Sequence, residues 1–168
     1  VIISGVAKGF VDLARTGLVE RVPRLITVQP EGSAAIVHAL RTGAESVTPV
    51  PGAASIADSL VVESPRNAIL ALQRIRESGG GAVAVEDAAI LESIPFLARH
   101  TGVFAEPASA AALAGLRLAL DEGLVSRDER IVLLVTGSGL KDVPAASRAI
   151  ERLTSIPPDI GAVERRLS

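Results

Sequence analysis

The chain of 168 residues has no cysteine, methionine, tryptophan or tyrosine and only three phenylalanines. Without cysteine there can be no disulfide framework, thiolate zinc site, iron–sulfur cluster or cysteine nucleophile. None is required for stability at this length, because one domain of this size buries roughly 70% of the surface that its unfolded chain exposes. An excess of charge of one sign is missing too. Lys and Arg number 17 and Asp and Glu 19, for a formal net charge of −2, which argues against a nucleic-acid footprint. No apolar run approaches the ~20 residues that would span a bilayer, and no basic segment leads into a short apolar core as in a signal peptide. Lysine is scarce: Lys8 and Lys141 are the only two, so lysine chemistry has two candidates in this chain. The sequence opens on Val1 inside a patterned segment, and the expectation is a piece of a longer protein.

What is present is a globular composition, 48% hydrophobic and 21% charged. Val6, Phe10, Leu13 and Ala14 share a helical face within residues 1–19, with Gly17 as a stop. Residues 24–29 form a β-rich run closed by Pro30, and a helix follows over 33–41 with Ile36, Val37 and Leu40 as its apolar set. Pro49, Pro51 and Gly52 mark a loop, and residues 55–62 take no firm assignment. Pro65 opens a helix over 66–77 with the stripe Ile69, Leu72 and Ile75. Residues 82–85 read as a strand, 87–100 as a helix with a kink expected at Pro95, and 103–105 as a short strand or its remnant. Pro107 starts an Ala-rich helix to about Leu120, and residues 130–135 are a continuous apolar strand of the kind buried on both faces of a parallel sheet. From about Ala145 the pattern is helical again, interrupted by Pro157 and Pro158. Strands alternating with helices predict an α/β fold, a three-layer αβα arrangement around a mostly parallel sheet, as a single domain over residues 1–168.

Ligands of open α/β sheets bind beyond the carboxyl ends of the strands. The segment there, Thr136-Gly137-Ser138-Gly139-Leu140-Lys141-Asp142, puts a hydroxyl at the strand tip and two glycines where backbone can approach a ligand. It is no dinucleotide fingerprint, because Asp142 stands where the third glycine belongs. Glu106, next to the start of the Ala-rich helix, is the second candidate: a carboxylate that the helix dipole stabilises or that serves a ligand. Ser78-Gly79-Gly80-Gly81 follows a helix and precedes a strand, so it reads as a helix C-terminal turn and not as an anion cradle. His38 and His100 each stand alone on a helix, no HExxH or G-x-S-x-G motif occurs, and no metal site is expected. Lys8 reads as a surface lysine and Lys141 as a structural side chain.

Several segments together resemble the threonine synthase family. They are Gly5-Val6-Ala7-Lys8-Gly9-Phe10, then Pro23-Arg24-Leu25 leading into Val28-Gln29-Pro30-Glu31-Gly32, and Ser55-Ile56-Ala57-Asp58. Glu77-Ser78-Gly79-Gly80, Ala82-Val83-Ala84-Val85 and Gly102-Val103-Phe104-Ala105-Glu106-Pro107-Ala108-Ser109-Ala110 follow. The most specific is the closing Thr136-Gly137-Ser138-Gly139-Leu140-Lys141-Asp142, and the likeness spans most of residues 1–155 in order. The resemblance implies the larger C-terminal part of a fold type II enzyme dependent on pyridoxal 5'-phosphate, which converts O-phosphohomoserine and water to threonine and phosphate. It further implies that Thr136 bonds the pyridine nitrogen of the cofactor, that Gly137 and Ser138 line the same wall, and that Glu106 lies near the ring's edge. Neither Lys8 nor Lys141 matches the family's Schiff-base lysine, so no catalytic residue is assigned to this chain, and its lysine and phosphate loop are expected upstream. A cytoplasmic homodimer, without nucleic-acid or membrane partners, is the implied setting. A serine/threonine dehydratase of the same fold type, which often has Ser or Cys where Thr136 stands, is the alternative enzyme. A non-catalytic binding module on the same half-fold is the alternative of another class.

Overall fold

Two short strands carry the architecture. In the computed structural model, which describes residues 2–150, 155 and 157–167, β1 (Ile26–Pro30) and β2 (Gly81–Val85) pair in parallel, with Ile26 opposite Gly81 and Val28 opposite Val83. Helix α1 (Ile2–Arg15) precedes β1, and α2 (Ala35–Thr42) and α3 (Ala68–Glu77) lie between the strands. After β2 come α4 (Asp87–Thr101), α5 (Pro107–Asp121), α6 (Val143–Ser147) and α7 (Ile160–Leu167). Parallel strands need a crossover of this length, and the helices of the crossover cover the sheet.

Successive side chains of a strand point to opposite faces, and β1 shows which helix covers which face. Val28 faces α5: a Cβ added at Gly115 of α5 would collide with its γ-carbons. Gln29, one residue on, turns to α2, where its Oε1 accepts hydrogen bonds from Ile36 N at 2.9 Å and Val37 N at 3.1 Å. With α5 on one face and α2 on the other, the expected three layers are in place. Beyond α5, helix α4 packs along it, and Ile90, Ile94 and Leu97 join Val85, Ala110, Leu113 and Ala114 in the core. Helix α4 runs unbroken through Pro95. On its outer side the Arg117 guanidinium lies 4.1 Å over the Phe96 ring.

Two expectations need correction. Residues 130–135 form no ladder with β1 or β2. Leu133 and Val135 pack on the core while Val132 is 79% and Leu134 50% exposed. The apolar run promised burial on two faces, but among the described residues no strand lies beside it, so one face alone is covered. Of the short strand or remnant expected at residues 103–105 the remnant is present, a single antiparallel bridge between Ala105 and Ser138. The helical stripes also shift. Ile69 is turned outward at 60% exposure, and α3 buries Ala68, Ala71, Leu72 and Ile75 instead. In α1, which packs against α3, the buried residues are the small Ser4 and Ala7, whereas Leu13 faces out. Small side chains let the two helices approach closely, and bulk is left outside. The helix expected from Ala145 comprises α6, one turn long, and α7, with residues 151–154 and 156 outside the described set.

Candidate functional site

The site forms where α5 begins. Pro107 occupies the first helical position, where the missing N–H leaves no bond unmade, and the small residues of α5 seat it against both strands. That packing fixes Glu106 and Ser109 at the carboxyl-end side of the sheet. The segment following residues 130–135 then wraps round this helix start. Glu106 N donates to Gly137 O at 3.1 Å and Gly139 N to Phe104 O at 2.9 Å. A Cβ at Gly137 would run into the Glu106 carboxylate, so a larger residue there would displace that side chain.

Ser109, 1% exposed, ties the two segments together. Its Oγ accepts from Thr136 N at 3.2 Å and Gly137 N at 2.7 Å, and it lies 3.3 Å from Thr136 Oγ1. Thr136 itself is exposed. Ser138 caps the turn at Gly139–Lys141, its Oγ accepting from Leu140 N at 3.3 Å. The Glu106 side chain is 7% exposed and meets Lys141 Nζ at 3.2 Å through Oε1 and 3.0 Å through Oε2. A buried carboxylate needs a charged or hydrogen-bonding partner, and Lys141 provides one while reaching solvent with its other side.

A cavity of about 390 Å³ opens beside this cluster, lined by Ile56, Asp58, Ser59, Glu106, Lys141 and Asp142 among others. Its far wall is held by Asp87 at the start of α4, which accepts from Ser55 Oγ at 2.6 Å and from Ile56 N at 3.0 Å. Of the sequence candidates, Glu106 lines the cavity. Thr136, Gly137 and Ser138 do not line it; Thr136 and Gly137 are bonded to the helix start that does, and Ser138 pairs with Ala105 just before it. Sequence reasoning passed over Ser109 and Asp87. The signal for Ser109 was there, as the single hydroxyl in the first turn of an otherwise Ala-rich helix.

The remaining candidates have other duties. The amides of Gly79, Gly80 and Gly81 donate to the carbonyls of Arg76, Ile75 and Leu25, so this turn has no N–H left for an anion. Lys8 pairs with Asp12 one turn along α1. His38 and His100 are exposed, and His100 lies 4.1 Å from Phe96, ring to ring. Among the described residues no group of three or more His, Cys, Asp or Glu could hold a metal ion, and no helix is long and apolar enough to cross a membrane.

Comparison with known proteins gives this geometry its context. Residues 2–137 match the family model described as pyridoxal-phosphate dependent enzyme. The threonine synthase of Methanocaldococcus jannaschii is 42% identical over 165 residues, covering 98% of this chain and 41% of that protein. Those of Methanosarcina acetivorans and Mycobacterium tuberculosis are 38% and 35% identical. The chain thus spans about two fifths of the length of the curated relatives it matches. Among solved structures, the processed form of threonine deaminase isoform 2 from Solanum lycopersicum superposes with a TM-score of 0.65 at 21% identity, over 88% of this chain and 38% of that one. This is a likeness of fold. A fungal L-serine ammonia-lyase from Rhizomucor miehei gives 0.57 at 25% identity, over 77% of this chain and 40% of that one.

Proposed function

Because the chain belongs to the pyridoxal-phosphate dependent enzyme family, we propose that it forms the ring-side wall of the cofactor site in a threonine synthase. That enzyme would convert O-phosphohomoserine and water to threonine and phosphate. The names of the relatives matching 95–98% of the chain support this choice within the family. The observation that carries it is the hydroxyl of the exposed Thr136, backed by buried Ser109.

The donor set fits pyridoxal 5'-phosphate at its ring nitrogen. An aromatic nitrogen with a lone pair needs a neutral donor, and Thr136 offers an O–H. Glu106, the nearby carboxylate, is already engaged by Lys141. When bound, the cofactor supplies an electron-withdrawing ring attached to the substrate's amino group. Thr136 moderates that withdrawal: a hydroxyl donor leaves the ring nitrogen unprotonated, whereas a carboxylate partner would favour its protonation. Gly137 and Ser138 continue the wall, and Glu106 holds negative charge, balanced by Lys141, at the ring's edge. Both lysines of the chain are engaged in ion pairs, and we assign the covalent anchor and the phosphate cradle to residues outside this chain. A cytoplasmic homodimer completes the proposal, on the family resemblance alone.

The test uses the complete open reading frame that carries this chain. The purified protein is assayed in parallel for phosphate release from O-phosphohomoserine and for 2-oxobutyrate formation from threonine. Dominant phosphate release is the expected result. Dominant 2-oxobutyrate formation would replace the proposal with a dehydratase. Absence of both, without cofactor absorbance, would indicate a binding module on this half-fold.

A further inference from the structure

The role of Ser109 goes beyond joining two segments, and the reasoning rests on the proposed cofactor reading. A serine hydroxyl has one proton to donate and two lone pairs to accept with. In this structure Thr136 N and Gly137 N occupy both acceptor positions of Ser109 Oγ. Ser109 is 1% exposed, so water does not compete for the hydroxyl. The partner left for its proton is Thr136 Oγ1, 3.3 Å away, and although either oxygen could donate by distance alone, the two amides decide the direction. Ser109 therefore donates to Thr136. The Thr136 hydroxyl accepts on one lone pair and keeps its own proton free, and accepting a bond makes it a stronger donor.

We propose that Ser109 is a positioning residue that orients the Thr136 hydroxyl as a hydrogen-bond donor toward the ring nitrogen of pyridoxal phosphate and so keeps that nitrogen unprotonated. The two backbone amides serve as the fixed reference of this relay. They belong to the same segment as Thr136, so the polarity of the relay is built into the chain path and does not depend on a titratable group. Lys141 and Glu106, the charged groups nearest this helix start, bond each other and take no part in the relay.

The ring nitrogen reports this directly. The complete protein is loaded with pyridoxal phosphate labelled with ¹⁵N in the ring, and the nitrogen resonance is followed against pH in wild type, Ser109→Ala, Thr136→Val and the double variant. In wild type the nitrogen is expected to remain unprotonated at neutral pH. Ser109→Ala is expected to raise the protonated fraction about tenfold, the size of one lost charge-sensing hydrogen bond. In the Thr136→Val background the same replacement is expected to add nothing, because Ser109 acts through Thr136. A purely structural serine would lower thermal stability in both backgrounds and leave the resonance where it was. If Ser109→Ala does not load with cofactor, Ser109→Cys provides the reading, since its weak S–H donor should give an intermediate shift. A resonance that moves in Thr136→Val but in neither Ser109 variant overturns the role of Ser109 alone. A resonance that Thr136→Val does not move overturns the cofactor reading itself.

Discussion

Replacing Gly115 by alanine tests the layer arrangement that holds the site. On helix propensity alone the change is favourable by about 1 kcal/mol, because glycine is the costliest ordinary residue inside a helix. The structure opposes it. The new Cβ would collide with Val28 Cγ2 and would stand 2.7 Å from Cγ1 and 3.0 Å from Cβ of the same residue. Carbon atoms in contact prefer roughly 3.5–4.0 Å. Rotating Val28 exchanges one methyl for the other and leaves its Cβ too near, so α5 must lift off β1. Overpacking of this kind costs roughly 1–3 kcal/mol, and because relief requires moving a whole helix the upper end applies. The net expectation is a loss of about 2 kcal/mol, read by equilibrium urea unfolding. For a chain of this size that is a fall in Tm of roughly 4–8 °C. The pair Gly115→Ala with Val28→Ala makes the reasoning specific. The new methyl then occupies space that the valine vacates, so the double variant should be more stable than the sum of the single effects by about 1 kcal/mol or more. A Gly115→Ala chain stabilised by about 1 kcal/mol, with additive behaviour in the pair, would show that α5 does not lie on Val28 and would refute the packing described.

Two further outcomes follow from single contacts. Gln29→Leu removes the acceptor that serves Ile36 N and Val37 N in the first turn of α2, which has no side-chain cap of its own. The loss should be about 1–2 kcal/mol in urea unfolding, with Gln29→Glu retaining most of the stability. The Glu129 carboxyl is held below its ordinary value of 4.5, first by the backbone N–H of Ser126 and then by Arg24. A carboxyl lowered by folding adds stability above its unfolded value, and that stability disappears as pH falls through the lower folded value. The stability difference between wild type and Glu129→Gln should therefore be constant above about pH 5 and shrink below 4.5, as followed by urea midpoints across that range.

How far the sequence could be read depended on whether a signal was local. Residues 24–30 and 82–85 announced themselves through β-branched and apolar content between prolines and glycines, and they pair in parallel as the alternation of elements demanded. The Ser78–Gly81 turn was legible for the same reason, because helix-ending glycines act within one turn. Residues 130–135 were misread because strand composition describes what a segment can pair with, whereas pairing needs a neighbour. The stripe of α3 was misjudged by one residue because hydrophobic bulk at Ile69 outweighed the small Ala68 and Ala71, which are the residues that fit against the neighbouring helices. At the site, Glu106 and Thr136 were visible as polar residues where ligands gather. Their connection through Ser109 spans 27 residues of sequence and exists only once α5 and the segment after residue 130 lie side by side. Asp87 escaped notice in the same way, since its partners Ser55 and Ile56 are more than 30 residues earlier.

The central claim is that Thr136 serves a cofactor ring in an enzyme acting on O-phosphohomoserine. The most direct measurement is the rate of phosphate release from that substrate by the complete protein, wild type against Thr136→Val, at saturating pyridoxal phosphate. Valine keeps the shape and removes the hydroxyl. Wild type should turn over and the variant should lose about ten- to a hundredfold, the equivalent of one functional hydrogen bond of roughly 1.5–3 kcal/mol. Equal rates for the two proteins, or no phosphate release from wild type that binds the cofactor, would contradict it.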